Sequence, residues 1–209
     1  MSEFELTIYK LLSKEIEQSE FEQWVYSEKK LSETLTPDDY LELISLNYKT
    51  PSSLYDAGKI LRKYVQIENC YEWYLKNVLQ KIVNRTPDVH KYIEQCYDLY
   101  CDGYYFLENL GLGYGLAVTV PREKYQAETW QELKAQDQQE LIDEFYPGVA
   151  EEAKKVISWL DSGKIILTGH SGEYQGIEFQ DNRTDGEKEP TGYRCEKHEA
   201  PTKCWWKFW

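Results

Sequence analysis

The sequence predicts an α+β protein: a mainly helical N-terminal region, residues 1–101, packed on a smaller α/β region, residues 102–209, with a short antiparallel sheet. The two regions can equally be read as one continuous domain. Three observations lead there. Apolar residues recur at i, i+3 and i+4 in successive segments up to residue 101, the period of a helix with one buried face. Composition shifts after Asp102, where glycines at 103, 111, 113 and 115 precede a β-branched run. Two short apolar segments then follow the turn Asp161-Ser162-Gly163.

In chain order, residues 3–17 carry Phe4, Ile8, Leu11 and Leu12 as a stripe, with Glu3 and Glu5 early and Lys10 and Lys14 late. That order of charge complements the helix dipole. Ser19 and Glu22 have capping-box spacing, and Phe21, Trp24 and Val25 follow on one face. Leu31 and Leu35 suggest a short helix. Thr36 is expected to cap the next, with Pro37 at its first position and Asp38 and Asp39 in its first turn. Tyr40, Leu41, Leu43, Ile44, Leu46 and Tyr48 surround most of that helix, which predicts a buried element with others packed around it.

Thr50-Pro51-Ser52-Ser53 ends the helix, and Ser52 or Ser53 is expected to cap the helix 54–66, in which Gly58 is an unfavourable residue. Residues 70–84 repeat the apolar stripe, and Thr86-Pro87 opens a helix to about 101. Past Asp102 the glycine-rich stretch predicts a loop and then a strand at 116–120. Helices are expected at 129–145 and 149–160, strands at Lys164–Thr168 and around Ile177 and Phe179, and a loop-like tail ending in Trp-Trp-Lys-Phe-Trp.

The composition is 41% hydrophobic and 15% aromatic over 209 residues, enough to bury a core. The net charge of −13 argues against direct binding to nucleic acid or to an anionic membrane, both of which need positive charge. It suits instead a basic protein partner steered by long-range attraction. Five cysteines at irregular spacing, no basic-then-apolar leader and no apolar run of about 18 residues predict reduced thiols and a cytoplasmic location.

The segment Gly-Leu-Gly-Tyr-Gly-Leu precedes the expected strand rather than following one and opening a helix, so it predicts no nucleotide site. Cys195, His198 and Cys204, with His170 upstream, are the only metal candidates; their C-x2-H-x5-C spacing supplies three ligands where a structural zinc takes four, so no metal or other cofactor is expected. His170, with Ser171, Glu173 and Asp181 nearby, lacks the nucleophile-elbow pattern and carries only the alternative of an enzyme of unknown class. His90 falls on the flank of a helical stripe.

The acids Asp137, Glu140, Asp143, Glu144, Glu151 and Glu152 form a run with no base between its ends. Asp137, Glu140 and Glu144 align at i, i+3 and i+7, where like charges destabilise a helix by a few tenths of a kcal/mol per pair. A cationic partner would relieve that repulsion, so these six are the candidate partner-binding residues. The terminal tryptophans and phenylalanine are expected to be docked on the fold or to serve as a binding patch.

The stretch Glu20–Lys49 resembles the opening of small uncharacterised cytoplasmic proteins of Gram-positive bacteria, some of them suspected immunity partners of secreted toxins. Phe21, Glu22, Trp24, Tyr26, Leu31, Leu35, Tyr40, Leu41, Ile44 and Tyr48 carry the resemblance, over about thirty of the 209 residues. It implies an interaction protein and brings no catalytic residue with it. The expected function is therefore a non-enzymatic immunity protein or inhibitor of a basic partner. An acidic mimic of nucleic acid, inhibiting a nuclease or defence enzyme, is the second expectation, and the enzyme centred on His170 the third.

Overall fold

The computed structural model describes residues 2–121, 125, 127–170 and 176–189, and bears out an α+β fold dominated by helices. Two compact units divide within one helix: Met1–Leu75 and Lys76–Trp209. No helix of the described residues is long and apolar enough to cross a membrane.

The first unit opens with α1 (Glu3–Leu12). The Ser2 side chain accepts from the Glu5 backbone at 3.2 Å, and Glu5 accepts in return from the Ser2 backbone at 2.8 Å. The first capping box is thus here. The box expected at Ser19 and Glu22 does not form, because α2 (Gln18–Ser27) begins earlier and Ser19 lies inside its first turn. A tertiary contact accompanies that start: the Gln18 amide donates to the Tyr48 carbonyl and reaches the Ser53 hydroxyl at 3.3 Å.

The short helix α3 (Lys30–Thr34) leads into α4 (Pro37–Ser45), which has the expected cap: Thr36 Oγ1 accepts from Asp39 N at 3.3 Å. Tyr64 and Lys63 hold this end of α4 through Asp39, at 2.6 and 2.7 Å. The expected burial of α4 is overturned. Leu43 is fully buried, whereas Leu41, about 160° away round the helix, is 57% exposed. Neighbours do not surround α4: Tyr40, Ile44 and Leu46 pack partly against the core, while Leu41 stays outside. Next come α5 (Ser53–Leu61), a 3-10 turn (Arg62–Tyr64) and the start of α6 (Ile67–Val83). Neither expected serine caps α5 through its side chain. Phe4, Ile8, Phe21, Leu31, Leu43 and Leu61 lie in one shared core, closed by Tyr48, whose hydroxyl donates to the Leu43 carbonyl at 2.9 Å.

In the second unit, the rest of α6 is followed by α7 (Val89–Cys101) and a 3-10 turn (Tyr105–Leu107). The loop and strand expected at 103–120 are not there. Asn109–Gly115 is a π-helix and continues directly into α8 (Leu116–Thr119). A Cβ added at Gly111 would lie 2.6 Å from Tyr100 Cβ, and one at Gly115 would lie 2.9 Å from Ile93 O and Tyr97 N. These glycines therefore let two helical backbones touch; they do not loosen the chain. The spacing G-x-x-x-G is the sequence signal for such contact.

Beyond it lie a 3-10 turn (Trp130–Glu132), α9 (Ala135–Phe145) and α10 (Gly148–Asp161), so the helix expected from 129 begins six residues later. Strands β1 (Ile165–His170) and β2 (Ile177–Asp181) pair antiparallel, with Leu167 opposite Phe179 and an irregularity between Leu167 and Gly169. In the expected loop tail, Thr184 donates to Glu187 from both its backbone (3.1 Å) and its hydroxyl (2.9 Å), starting the one-turn helix α11 (Asp185–Lys188). Ile93, Leu110, Tyr114, Val118, Phe145 and Val149 are among the buried residues of this unit.

Candidate functional site

The helix α9 is amphipathic. Leu141, Ile142 and Phe145 are buried, and the Phe145 ring meets Tyr114 edge-on at 5.2 Å. Gln138 is fixed by donating to the Trp130 carbonyl at 3.0 Å. With the apolar side committed to the fold, Glu140, Asp143 and Glu144 are exposed within an arc of about 100°, and half-buried Asp137 lies at its edge, widening it to about 120°. Glu140 accepts from Gln136 at 2.9 Å. Asp143 accepts from Arg85 and, at 2.9 Å, from Gln139, and these bonds hold its carboxyl below the usual carboxylate range. Arg85 also lies over the Tyr146 ring, 4.7 Å from its centre.

Glu151 and Glu152 belong to the first turns of α10. Glu151 is exposed. Glu152 turns inward, accepting from Asn109 at 3.3 Å and standing 3.5 Å from Lys155. The structure thus gathers four of the six candidate acids on one face of α9 and places Glu152 in a separate small cavity with Trp159 and Arg183.

Beside α9 opens a cleft of about 300 Å³, lined among others by Arg85, Pro87, His90, Trp130, Gln138 and Gln139. His90 and Trp130 stack face to face, with centroids 4.6 Å apart and planes 9° from parallel. Burial first, and the charge of Lys91 second, lower the His90 pKa from its ordinary value of 6.5. Sequence reading placed His90 on a helix flank but did not find this cleft. The stacked residues lie forty positions apart, and nothing in local spacing signals the contact.

Of the His170 grouping, only the backbone of His170 and Asp181 lie among the described residues. The backbone of His170 pairs with Ile177, whereas Asp181 pairs with Ile165, five residues and roughly 16 Å along the hairpin. Asp181 instead makes two bonds to the Arg183 guanidinium, at 3.0 and 2.9 Å, which hold its carboxyl low. Ser171, Glu173, Cys195, His198, Cys204 and the terminal aromatic cluster lie outside the described residues. Within the described residues, no group of three His, Cys, Asp or Glu side chains is placed to hold a metal ion.

The outer side of α9 thus sets aligned carboxylates beside a recess lined by the His90–Trp130 stack and by amide groups. No protein-family model matches the chain, and no curated protein or solved structure matches it.

Proposed function

We propose that this chain is a non-enzymatic interaction protein of the cytoplasm, an immunity protein or inhibitor that binds a basic partner protein such as a toxin. The observation that carries the reading is the outward face of α9. Glu140, Asp143 and Glu144 are exposed on it, with half-buried Asp137 at its edge, while the opposite face is used up in the core. The chain's net charge of −13 adds long-range attraction for a cation-rich surface. The cleft at His90 and Trp130 supplies an adjoining recess for a partner side chain. Charges on the rim speed encounter, and the contacts in the recess set the lifetime of the complex.

The test is binding kinetics at two salt concentrations, with the partner taken first from the product of the neighbouring gene. Reversing Glu140, Asp143 and Glu144 to lysine should slow association at low salt. The difference should shrink as screening shortens to about 8 Å at physiological ionic strength. Circular dichroism checks that the variant stays folded, since Asp143 also meets Arg85. An unchanged association rate at low salt rules this face out. A nuclease partner that duplex DNA displaces in competition would point to nucleic-acid mimicry instead.

A further inference from the structure

The first unit holds a second feature, unrelated to the acidic face. Between the end of α1 and α5 runs an open groove of about 800 Å³, within the range of small-molecule pockets. We propose that it binds an amphiphilic anion: a carboxylate carried on an unbranched apolar chain.

The first argument is polarity along the groove. Leu54 and Gly58 line it in the first two turns of α5, and Lys59 and Arg62 line it at the helix end. Leu12 and Ile16 form the facing wall, with Lys14 between them. Along α5 the lining thus runs from Pro51 and Leu54 to Lys59 and Arg62, from apolar residues to cations, as one tail and one head require. From Leu54 to Arg62 the helix rises about 12 Å, the reach of a chain of roughly ten carbons.

The second argument is charge. In a chain of net charge −13, the described lining has three cations and no carboxylate. Asp56 approaches Lys59 only at 3.9 Å, and the Lys59 ammonium rests 4.2 Å above the Tyr55 ring, which is itself exposed. Arg62 and Lys14 are exposed as well. An anion entering the groove therefore meets cations that remain open to solvent.

The third argument is Gly58. Glycine is the least favourable residue after proline in a helix interior. Its neighbours do not demand it, since an added Cβ would meet Leu12 Cδ2 at 3.4 Å, an ordinary contact distance. Gly58 is itself buried and lines the groove beside Leu12, so its missing side chain thins the wall there, and a large side chain at this position would have to project into the groove.

The experiment is calorimetric titration of the full chain with dodecanoate below its micelle concentration, alongside dodecan-1-ol and dodecyltrimethylammonium. Dodecanoate should saturate a single site, with the alcohol and the ammonium at least ten-fold weaker. The surface double variant Lys59→Glu, Arg62→Glu should weaken dodecanoate at least ten-fold with an unchanged circular dichroism spectrum. Gly58→Phe, whose ring would project into the groove, should abolish binding. Absence of saturable binding overturns the proposal, as does an alcohol that binds as tightly as the carboxylate. A double variant that binds like the parent protein also overturns it, whether or not Gly58→Phe folds.

Discussion

In the first unit, helices meet through side chains: the Phe4 ring of α1 lies 5.7 Å from Trp24 of α2, and Phe21 of α2 shares one core with Leu31, Leu43 and Leu61 of α3, α4 and α5. In the second, α7 and the π-helix meet through their backbones, with Tyr97 N and Ile93 O 2.9 Å from where a Gly115 methyl would be. Both arrangements exclude water, but they tolerate different changes. A side-chain core fails when atoms are removed, and a backbone contact fails when atoms are added.

The widest test of that contrast is Phe21→Ala. It empties a site that is 0% exposed and should cost about 3–5 kcal/mol, read from the urea midpoint. A loss below about 1 kcal/mol would mean that the first unit does not rest on its ring cluster. Next is Gly115→Ala, which adds a single methyl and should cost about 1–3 kcal/mol by overpacking. A gain in stability there would show that α7 and the π-helix part easily.

The same substitution in the first unit, Gly58→Ala, should have the opposite sign. Where no backbone stands in the way, losing glycine stabilises by about 0.4–1 kcal/mol, and a raised melting temperature would show it. A lowered one would place Gly58 in the class of Gly115.

The smallest effect concerns pH. Burial lowers the His90 pKa from 6.5, so the unfolded chain binds the proton more readily than the folded one. Stability from this residue is complete above pH 6.5, declines as pH falls through the lowered folded value, and levels off beneath it. The difference in urea midpoint between pH 7.5 and pH 5 should be smaller in His90→Phe, which keeps an aromatic ring on Trp130. An equal difference in both proteins would assign the pH dependence to other groups.

The contrast between the units also explains what the sequence could say. Side-chain cores leave a period, and the stripes of α1, α6 and α7 were legible for that reason. Thr36 and Pro37 were legible because a cap is a local event: donor and acceptor sit three residues apart. The start of α2 was not, since Gln18 bonds to residues about thirty positions away. The π-helix was misread because its glycines look like a loop unless the partner backbone is known. On the candidate site, the spacing of Asp137, Glu140 and Glu144 predicted a shared face. The arrival of Arg85 at Asp143, 58 residues away, and the inward turn of Glu152 are tertiary facts that no window of sequence contains.

The stack of His90 on Trp130 has an optical consequence. An imidazolium accepts an electron from an excited indole, whereas the neutral ring does so poorly, and at 4.6 Å the transfer competes with emission. Light from Trp130 should therefore dim as His90 takes up its proton, and Trp130→Phe isolates this signal from the other six tryptophans. A molecule that enters the cleft and separates the rings, or shields the imidazole from solvent, shifts the quenching curve. The recess beside α9 thus carries its own fluorophore and its own quencher, and occupancy can be followed without a label.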